Sequence, residues 1–198
     1  MIEKISVSLT DQIIESRLAS KQMREWYIYA FQRLFETSIS IITMLFIGVV
    51  IGNVISMALF WFFFDLLRRR AGGFHCEKYW QCYIFTTVVF VGVAVIEPVI
   101  SRHPIMLIIL LSVTALEILI IGTVNHPAIN YDSVEMKRSK KLSRRTLAIE
   151  LWIIISFWGI GIKESYLTCM SMGVVLCGVL MVLAILFKQE VKVNEDKR

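Results

Sequence analysis

A histidine and a cysteine stand seven residues apart where one apolar segment ends and the next begins. His75 follows the run Arg-Arg-Arg-Ala-Gly-Gly-Phe of residues 68–74, and Cys82 comes seven positions later. A cysteine acts as a nucleophile when it is a thiolate, and a nearby imidazole can take the thiol proton. On one straight helix the two side chains would lie ~10 Å apart along the axis, which exceeds the hydrogen-bond reach of about 3 Å. The Gly-Gly pair allows the chain to bend, so the sequence predicts a half-buried turn over 71–75 that brings His75 towards Cys82.

Other interpretations of the same residues stay open. His75, Cys76 and Cys82 could bind zinc, although their spacing is poor and no fourth ligand lies nearby in the sequence. They could also be polar residues at a membrane interface. Cys76 could be the nucleophile, but neighbouring side chains point apart, which favours Cys82. Cys169 and Cys177 lie in an apolar run and are predicted to pack in the interior.

The composition is that of a membrane protein. Of the 198 residues, 57% are hydrophobic and only 19% are charged, and the mean hydropathy is +0.68. This is too apolar for a soluble domain of this size and predicts several membrane passes. The net charge of +5 is then assigned to loops facing the lipid bilayer, and no nucleic-acid partner is predicted.

Hydropathy and charge predict an all-α, polytopic membrane helical bundle. Residues 38–67 could form one long helix or a pair of short apolar segments, and the distribution of positive charge favours the pair. With the basic segments inside, both termini are cytoplasmic and the chain has about six membrane segments. The predicted parts of this single membrane domain are an N-terminal amphipathic region (1–36), the short apolar pair (38–67), the segment bearing the histidine and cysteine (68–82), a helical hairpin (83–124), a basic cytoplasmic loop (125–146), a second hairpin (147–187) and a tail (188–198).

Three glutamates fall in or beside the predicted spans. Glu117 lies deep in its span, where a carboxyl group is either functional or held protonated within the bundle. Glu97 and Glu150 lie nearer the span ends and are expected to reach the membrane interface.

The pattern R-x-x-A-G-G-F-H followed by a cysteine resembles the accessory gene regulator B family, the membrane cysteine endopeptidases of Gram-positive quorum sensing. The order of polar, apolar and basic segments is similar along nearly the whole chain. The resemblance implies that Cys82 is the nucleophile and His75 its base, with Arg68 and Gly73 in supporting positions. Cys76 departs from the pattern, since a small residue such as alanine is expected there.

The resemblance also implies the substrate and the reaction. The expected substrate is a short pheromone precursor with an amphipathic helix, a central cysteine or serine and an acidic C-terminal tail. The enzyme would release the tail, hold the rest as a thioester and close a thiolactone ring. A homodimer is also expected from the family, and no cofactor or metal is predicted.

The basic residues of the predicted loop suggest a site for the acidic tail. Lys140 and Lys141 lie within the basic run 137–145 and offer complementary charge, although membrane topology explains the run equally well. Two rival functions remain. One is a peptide transporter whose path is lined by Glu117 and Arg102, and the other is a scaffold for a membrane sensor kinase. Both rivals tolerate the loss of the Cys82 thiol, whereas a thiol peptidase does not.

Overall fold

The computed structural model describes residues 2–74, 79–125 and 131–189, and in these ranges the protein is helical without any strand. Backbone polar groups at membrane depth need partners within the protein, which helices provide along their length. The helices are α1 (Ile2–Glu15), a short 3-10 helix (Lys21–Met23), α2 (Arg24–Ile51), α3 (Val54–Ala71), α4 (Tyr79–Ile100), α5 (Pro104–Ile121), α6 (Ser133–Ile160) and α7 (Glu164–Leu186).

Four helical stretches are long and apolar enough to cross a membrane. They are Lys21–Ile51, Trp80–Ile100, Pro104–Ile121 and Glu164–Leu186. The helices α3 and α6 fall outside this group because charged residues occupy one end of each. The predicted all-α membrane bundle is therefore confirmed, whereas the predicted number of about six passes stays a prediction.

The chain forms two compact units, residues 1–46 and residues 47–198. In the first unit the Arg24 guanidinium pairs with the Asp11 carboxylate at 2.8 Å and ties the start of α2 to α1. Helix α2 runs through the predicted boundary at residues 36–38, because residues 24–47 contain neither glycine nor proline. It ends at Ile51, so two helices meet at Gly52-Asn53 instead of one long helix covering 38–67.

In the second unit α7 is the central helix and packs against α3, α4, α5 and α6. Its buried side chains include Met170, Val174 and Met181, which lie in one apolar core with Leu67 of α3 and Ile118 of α5. In lipid, close packing of such side chains and hydrogen bonds between helices hold a bundle together. Cys169 and Cys177 are both fully buried, which confirms that they pack in the interior.

A polar cluster joins the α2–α3 bend to the first turn of α7. The Asn53 side-chain amide donates to Ser165 Oγ at 3.0 Å, and Ser56 Oγ donates to Asn53 Oδ1 at 2.5 Å. The Ser56 and Ser165 hydroxyl oxygens are 2.9 Å apart. Since Ser56 is fully buried, these bonds replace the water that its hydroxyl loses on folding.

The predicted basic loop is helical from Ser133 onwards. Asp132 Oδ1 accepts from the backbone N–H groups of Val134 and Glu135, both at 2.7 Å, and Glu135 Oε2 accepts from the Asp132 N–H at 3.1 Å. This reciprocal pair is a capping box, which starts a helix by satisfying its first free N–H groups. The basic run 137–145 therefore lies on the exposed part of a helix that continues directly into the apolar residues after 147.

Candidate functional site

The candidate site is built on the C-terminal end of α3. A helix leaves its last four carbonyl groups without partners inside the helix, so these groups need partners from elsewhere. The Gly72 N–H closes the last turn on the Arg68 carbonyl at 3.0 Å, and the Val124 N–H donates to the Ala71 carbonyl at 2.9 Å. The segment after α5 thus meets the end of α3 directly.

Two side-chain hydroxyl groups donate hydrogen bonds to another of these carbonyl groups, that of Arg70. Thr123 Oγ1 and Ser139 Oγ each donate to the Arg70 carbonyl oxygen at 3.1 Å. Thr123 follows α5 and Ser139 lies on α6, so two distant parts of the chain converge on one atom of α3. Sequence reasoning missed both residues, because nothing in their local pattern distinguishes them from other polar residues.

The two glycines after α3 carry the bend that the sequence predicted. Gly72 has φ +72° and Gly73 has φ +130°, which are conformations that glycine adopts at low cost. A Cβ at Gly72 would lie 2.8 Å from the Val124 carbonyl oxygen, and a Cβ at Gly73 would overlap the Arg68 guanidinium. Ala71 and Gly73 are buried while Gly72 and Phe74 are half-buried, so the predicted half-buried turn is confirmed over residues 71–74.

Arg68 holds this turn with its own guanidinium. Its Nη1 donates to the Gly72 carbonyl and its Nη2 donates to the Phe74 carbonyl. The Phe74 N–H in turn donates to the Leu180 carbonyl of α7 at 2.8 Å. The planar fork of an arginine suits such a double contact, and a lysine could not reproduce it. Arg68 therefore supports the turn from inside.

The same guanidinium is electrostatically linked to the predicted nucleophile. Arg68 lies after the apolar stretch of α3. Burial has the largest influence on the pKa of Arg68 and lowers it. In their ionised forms Cys177 and, to a smaller extent, Cys82 act in the opposite direction and raise the pKa of Arg68. Cys82 is half-buried on the first turn of α4.

Phe74 brings the turn to the part of α4 that carries Cys82. Its ring centroid lies 6.2 Å from that of Phe85 on α4 and 5.5 Å from that of Phe187. Cys82 and Phe85 are three residues apart on a helix, so their side chains share one face. The residue after Phe74 is His75, which lies outside the described residues, as does Cys76. The predicted contact between His75 and Cys82 stays a prediction.

Asp65, which precedes the turn by two helical turns, pairs with Arg69 and not with Arg68. The Arg69 Nε lies 2.7 Å from Asp65 Oδ2 at the helical spacing i, i+4. Helical spacing permits either Arg68 or Arg69 to pair with Asp65, and in the structure the exposed Arg69 does so. This leaves the Arg68 guanidinium for the carbonyls of the turn.

The basic part of α6 forms an exposed surface beside the site. A shallow groove is lined by Lys137, Lys140, Lys141, Arg144, Arg145 and Ala148. Where the structure describes the chain, none of these cations pairs with a carboxylate. The Lys140 stem packs so closely on Gly122 that a Cβ there would be 2.9 Å from Lys140 Cγ. Since Thr123 follows Gly122, this surface, here called the α6 basic surface, adjoins the end of α3.

The glutamates of the spans lie differently from the expectation. Glu97 is 5% exposed and Glu150 is 1% exposed, so the prediction that both reach the membrane interface is wrong. Neither carboxylate oxygen of Glu150 has a hydrogen-bond partner, and Glu117 Oε1 has none either. Glu150 lies on the inward face of α6 with Ser143 and Leu147, so its side chain packs within the bundle.

The comparison with family models shows to which protein family the chain belongs. A model described as accessory gene regulator B matches residues 3–186. The chain belongs to the accessory gene regulator B family. The resemblance seen in the R-x-x-A-G-G-F-H pattern is thereby confirmed, and the chain is a membrane protein of peptide quorum sensing with an indicated role in peptide processing. Neither the curated proteins nor the solved structures contain a match.

Proposed function

We propose that the protein is a membrane-embedded cysteine endopeptidase that cleaves the tail from a short pheromone precursor and cyclises the remainder. Cys82 is the nucleophile and His75 its base. The observation that carries this proposal is the fixed turn after α3. Arg68, Leu180 and the Phe74–Phe85 contact together hold Phe74 beside the helix face of Cys82.

In the first step His75 accepts the proton of the Cys82 thiol, and the thiolate attacks the carbonyl carbon before the acidic tail. The C–N bond breaks, and the tail leaves as an amine that takes the proton from the imidazolium. The rest of the precursor stays on Cys82 as a thioester. This is the sequence of events that a paired nucleophile and base support in covalent catalysis.

In the second step a thiol within the precursor attacks the thioester. The acyl group passes from Cys82 to that thiol, the ring closes as a thiolactone, and the proton of the precursor thiol returns to Cys82. The exchange replaces one thioester by another, so it requires neither a nucleotide nor an oxidant. Holding the internal thiol beside the thioester raises its effective concentration, and a membrane setting limits competing water.

Arg68 acts in this scheme as a positioning residue. Its guanidinium fixes the Gly72 and Phe74 carbonyls, which sets the direction of the chain just before His75. Gly73 serves the same arrangement by leaving room for the guanidinium.

The acidic tail is proposed to bind the α6 basic surface, with Lys140 and Lys141 as its contacts. Two features support this assignment. The cations form no ion pairs in the part of the chain described, and Lys140 packs on Gly122 next to the segment that meets α3. A tail held there would lie beside the segment that meets the end of α3.

This assignment is tested by replacing both Lys140 and Lys141 with glutamine and measuring precursor cleavage. A weaker apparent affinity for the precursor is expected, with a smaller effect at high salt because screening already weakens exposed charge pairs. The matched control replaces Arg102 and Lys163 with glutamine, which removes the same charge from exposed positions between helices. Unchanged cleavage with unchanged topology in the first variant would refute the assignment.

The proposed partners are the precursor, the lipid bilayer and a second copy of the chain. The proposed location is the cell membrane, with several passes and both termini in the cytoplasm. This orientation leaves Arg68–Arg70, the α6 basic surface and the C-terminal residues 188–198 of the chain on the cytoplasmic side, where positive residues accumulate.

The thiol chemistry is tested by measuring the alkylation rate of Cys82 against pH in detergent-purified protein. A Cys76→Ser background leaves Cys82 as the reactive thiol, since Cys169 and Cys177 are fully buried. We expect fast alkylation near neutral pH and a clear slowing in the His75→Ala variant. A His103→Ala variant serves as the control and should alkylate like the parent. Alkylation indifferent to His75, with the behaviour of an ordinary thiol of pKa about 8.5, would refute the dyad.

A further inference from the structure

Two hydroxyl groups from distant parts of the chain converge on the Arg70 carbonyl. Thr123 is 53 residues from Arg70 along the chain and Ser139 is 69 residues away. Both side chains are buried, and their hydroxyl oxygens lie 3.4 Å apart. The proposed chemistry uses neither of them, although both touch the segment that leads to His75.

The Arg70 carbonyl depends on these hydroxyls because the helix cannot supply its own donor. In a continued helix this carbonyl would accept from the N–H group of residue 74. That N–H donates to the Leu180 carbonyl instead, because the chain bends at Gly72 and Gly73. The hydroxyls of Thr123 and Ser139 therefore take the place of the missing helical bond at the point where the chain leaves α3.

We propose that Thr123 and Ser139 are positioning residues for the thiol chemistry. They fix the Arg70 carbonyl, five residues before His75, and thereby the point at which the chain leaves α3. The proposal rests on the proposed function, since it assigns these residues to the placement of the base.

The arrangement makes a specific prediction about redundancy. A carbonyl oxygen has two lone pairs and is satisfied by one donor. Removing either hydroxyl leaves the other in place, whereas removing both leaves a buried carbonyl without a partner, which is disfavoured. The two substitutions should therefore have small separate effects and a large combined effect, as expected for groups that share one partner.

Ser139 also connects the site to the α6 basic surface. It lies on α6 between Lys137 and Lys140, which line the groove of that surface. The helix proposed to hold the substrate tail thus also holds the carbonyl that orients the turn. The placement of substrate and the placement of the base are supported by the same rigid element.

The test compares Thr123→Val, Ser139→Ala and the double variant with the parent protein. The measurements are kcat and KM for precursor cleavage and the ratio of Cys82 alkylation rates with and without the His75→Ala change. Each single variant should stay within about 3-fold of the parent in kcat, because one donor remains. The double variant should lose about 10- to 100-fold in kcat with KM unchanged, as expected for a misplaced catalytic group.

Two further variants separate positioning from general stability. Thr123→Ser combined with Ser139→Ala keeps one hydroxyl and should retain the kcat of the single variants. The control double variant Thr37→Val and Ser112→Ala removes the same two hydroxyl types from α2 and α5, and should behave like the parent in both measurements.

The outcomes distinguish this proposal from the proposed function. If alkylation of Cys82 in the parent does not depend on His75, the proposed function fails and this inference falls with it. If the parent depends on His75 and the double variant depends on it equally, with kcat unchanged, only this inference is overturned. A double variant that no longer folds would also overturn it, because the hydroxyls would then hold the bundle and not the turn.

Discussion

The Gly73→Ala substitution places a methyl group in the space that the Arg68 guanidinium occupies. The Gly73 backbone has φ +130°, and its missing Cβ would also lie 3.0 Å from the Leu180 carbonyl oxygen. The Leu180 backbone is part of α7 and cannot move easily. The guanidinium must therefore leave the Gly72 or Phe74 carbonyl, or the turn itself must change its path.

The size of the effect follows from these contacts. A side chain held in a sparsely populated backbone region costs about 1–3 kcal/mol, and a lost hydrogen bond to a charged group costs about 1.5–3 kcal/mol. Strain together with the loss of one such bond disfavours the parent turn by at least ~2.5 kcal/mol. A turn free to take another path would then hold the productive arrangement roughly 70-fold less often, and kcat/KM would fall by the same factor. Loss of both guanidinium bonds would increase the effect further.

The assay is precursor cleavage in membranes at matched protein amounts, with thermal unfolding in detergent as the check on folding. The control is Gly92→Ala on α4, where an added Cβ would meet nothing within 4 Å, and it should cleave at the parent rate. A Gly73→Ala protein that cleaves the precursor as well as the parent would refute the claim that the guanidinium-filled turn positions the site.

Three other predictions test separate parts of the structure. Arg68→Lys keeps the charge but cannot bridge two carbonyls, so cleavage should fall about 10-fold or more, and parent-level cleavage would contradict the positioning role. Ser56→Ala removes the hydroxyl that contacts Asn53 and Ser165, and should lower unfolding stability by about 1–3 kcal/mol without changing cleavage. Unaltered thermal stability would show that the hydrogen bonds of Ser56 contribute nothing to the stability of the folded protein. Glu150→Met replaces a buried carboxyl group without hydrogen bonds by an apolar side chain, so thermal stability should stay equal or rise. A fall in stability would contradict the claim that the carboxyl group makes no stabilising contact.

The sequence predicted the bend at the site because its causes are local. A Gly-Gly pair after a basic helix end is a strong signal for a change of direction, and the structure has that bend at Gly72-Gly73. The partners that hold it could not be predicted. Thr123, Ser139 and Leu180 reach the turn only through the packing of α5, α6 and α7 around α3, and such long-range contacts leave no local pattern in one sequence.

Helix boundaries show the same division between local and tertiary causes. The Asp132–Glu135 capping box is a local signal from which the helical start at Ser133 could have been predicted, although the density of positive charge suggested a loop. Pro104 does begin α5, as its preference for the first helical turn predicts. The burial of Glu150 is a tertiary effect, since sequence position near the end of an apolar run indicates only depth and not which face of the helix packs inward.

The central claim is that Cys82 forms a thioester with the precursor, and trapping that intermediate tests it most directly. A precursor whose internal cysteine is replaced by alanine cannot close the ring, so the acyl group should accumulate on the enzyme. Intact-protein mass spectrometry should then show an adduct equal to the precursor without its tail. This adduct should be released by hydroxylamine and be absent in a folded Cys82→Ser variant. Release of the tail by Cys82→Ser at the parent rate, without any adduct on the parent protein, would contradict the account.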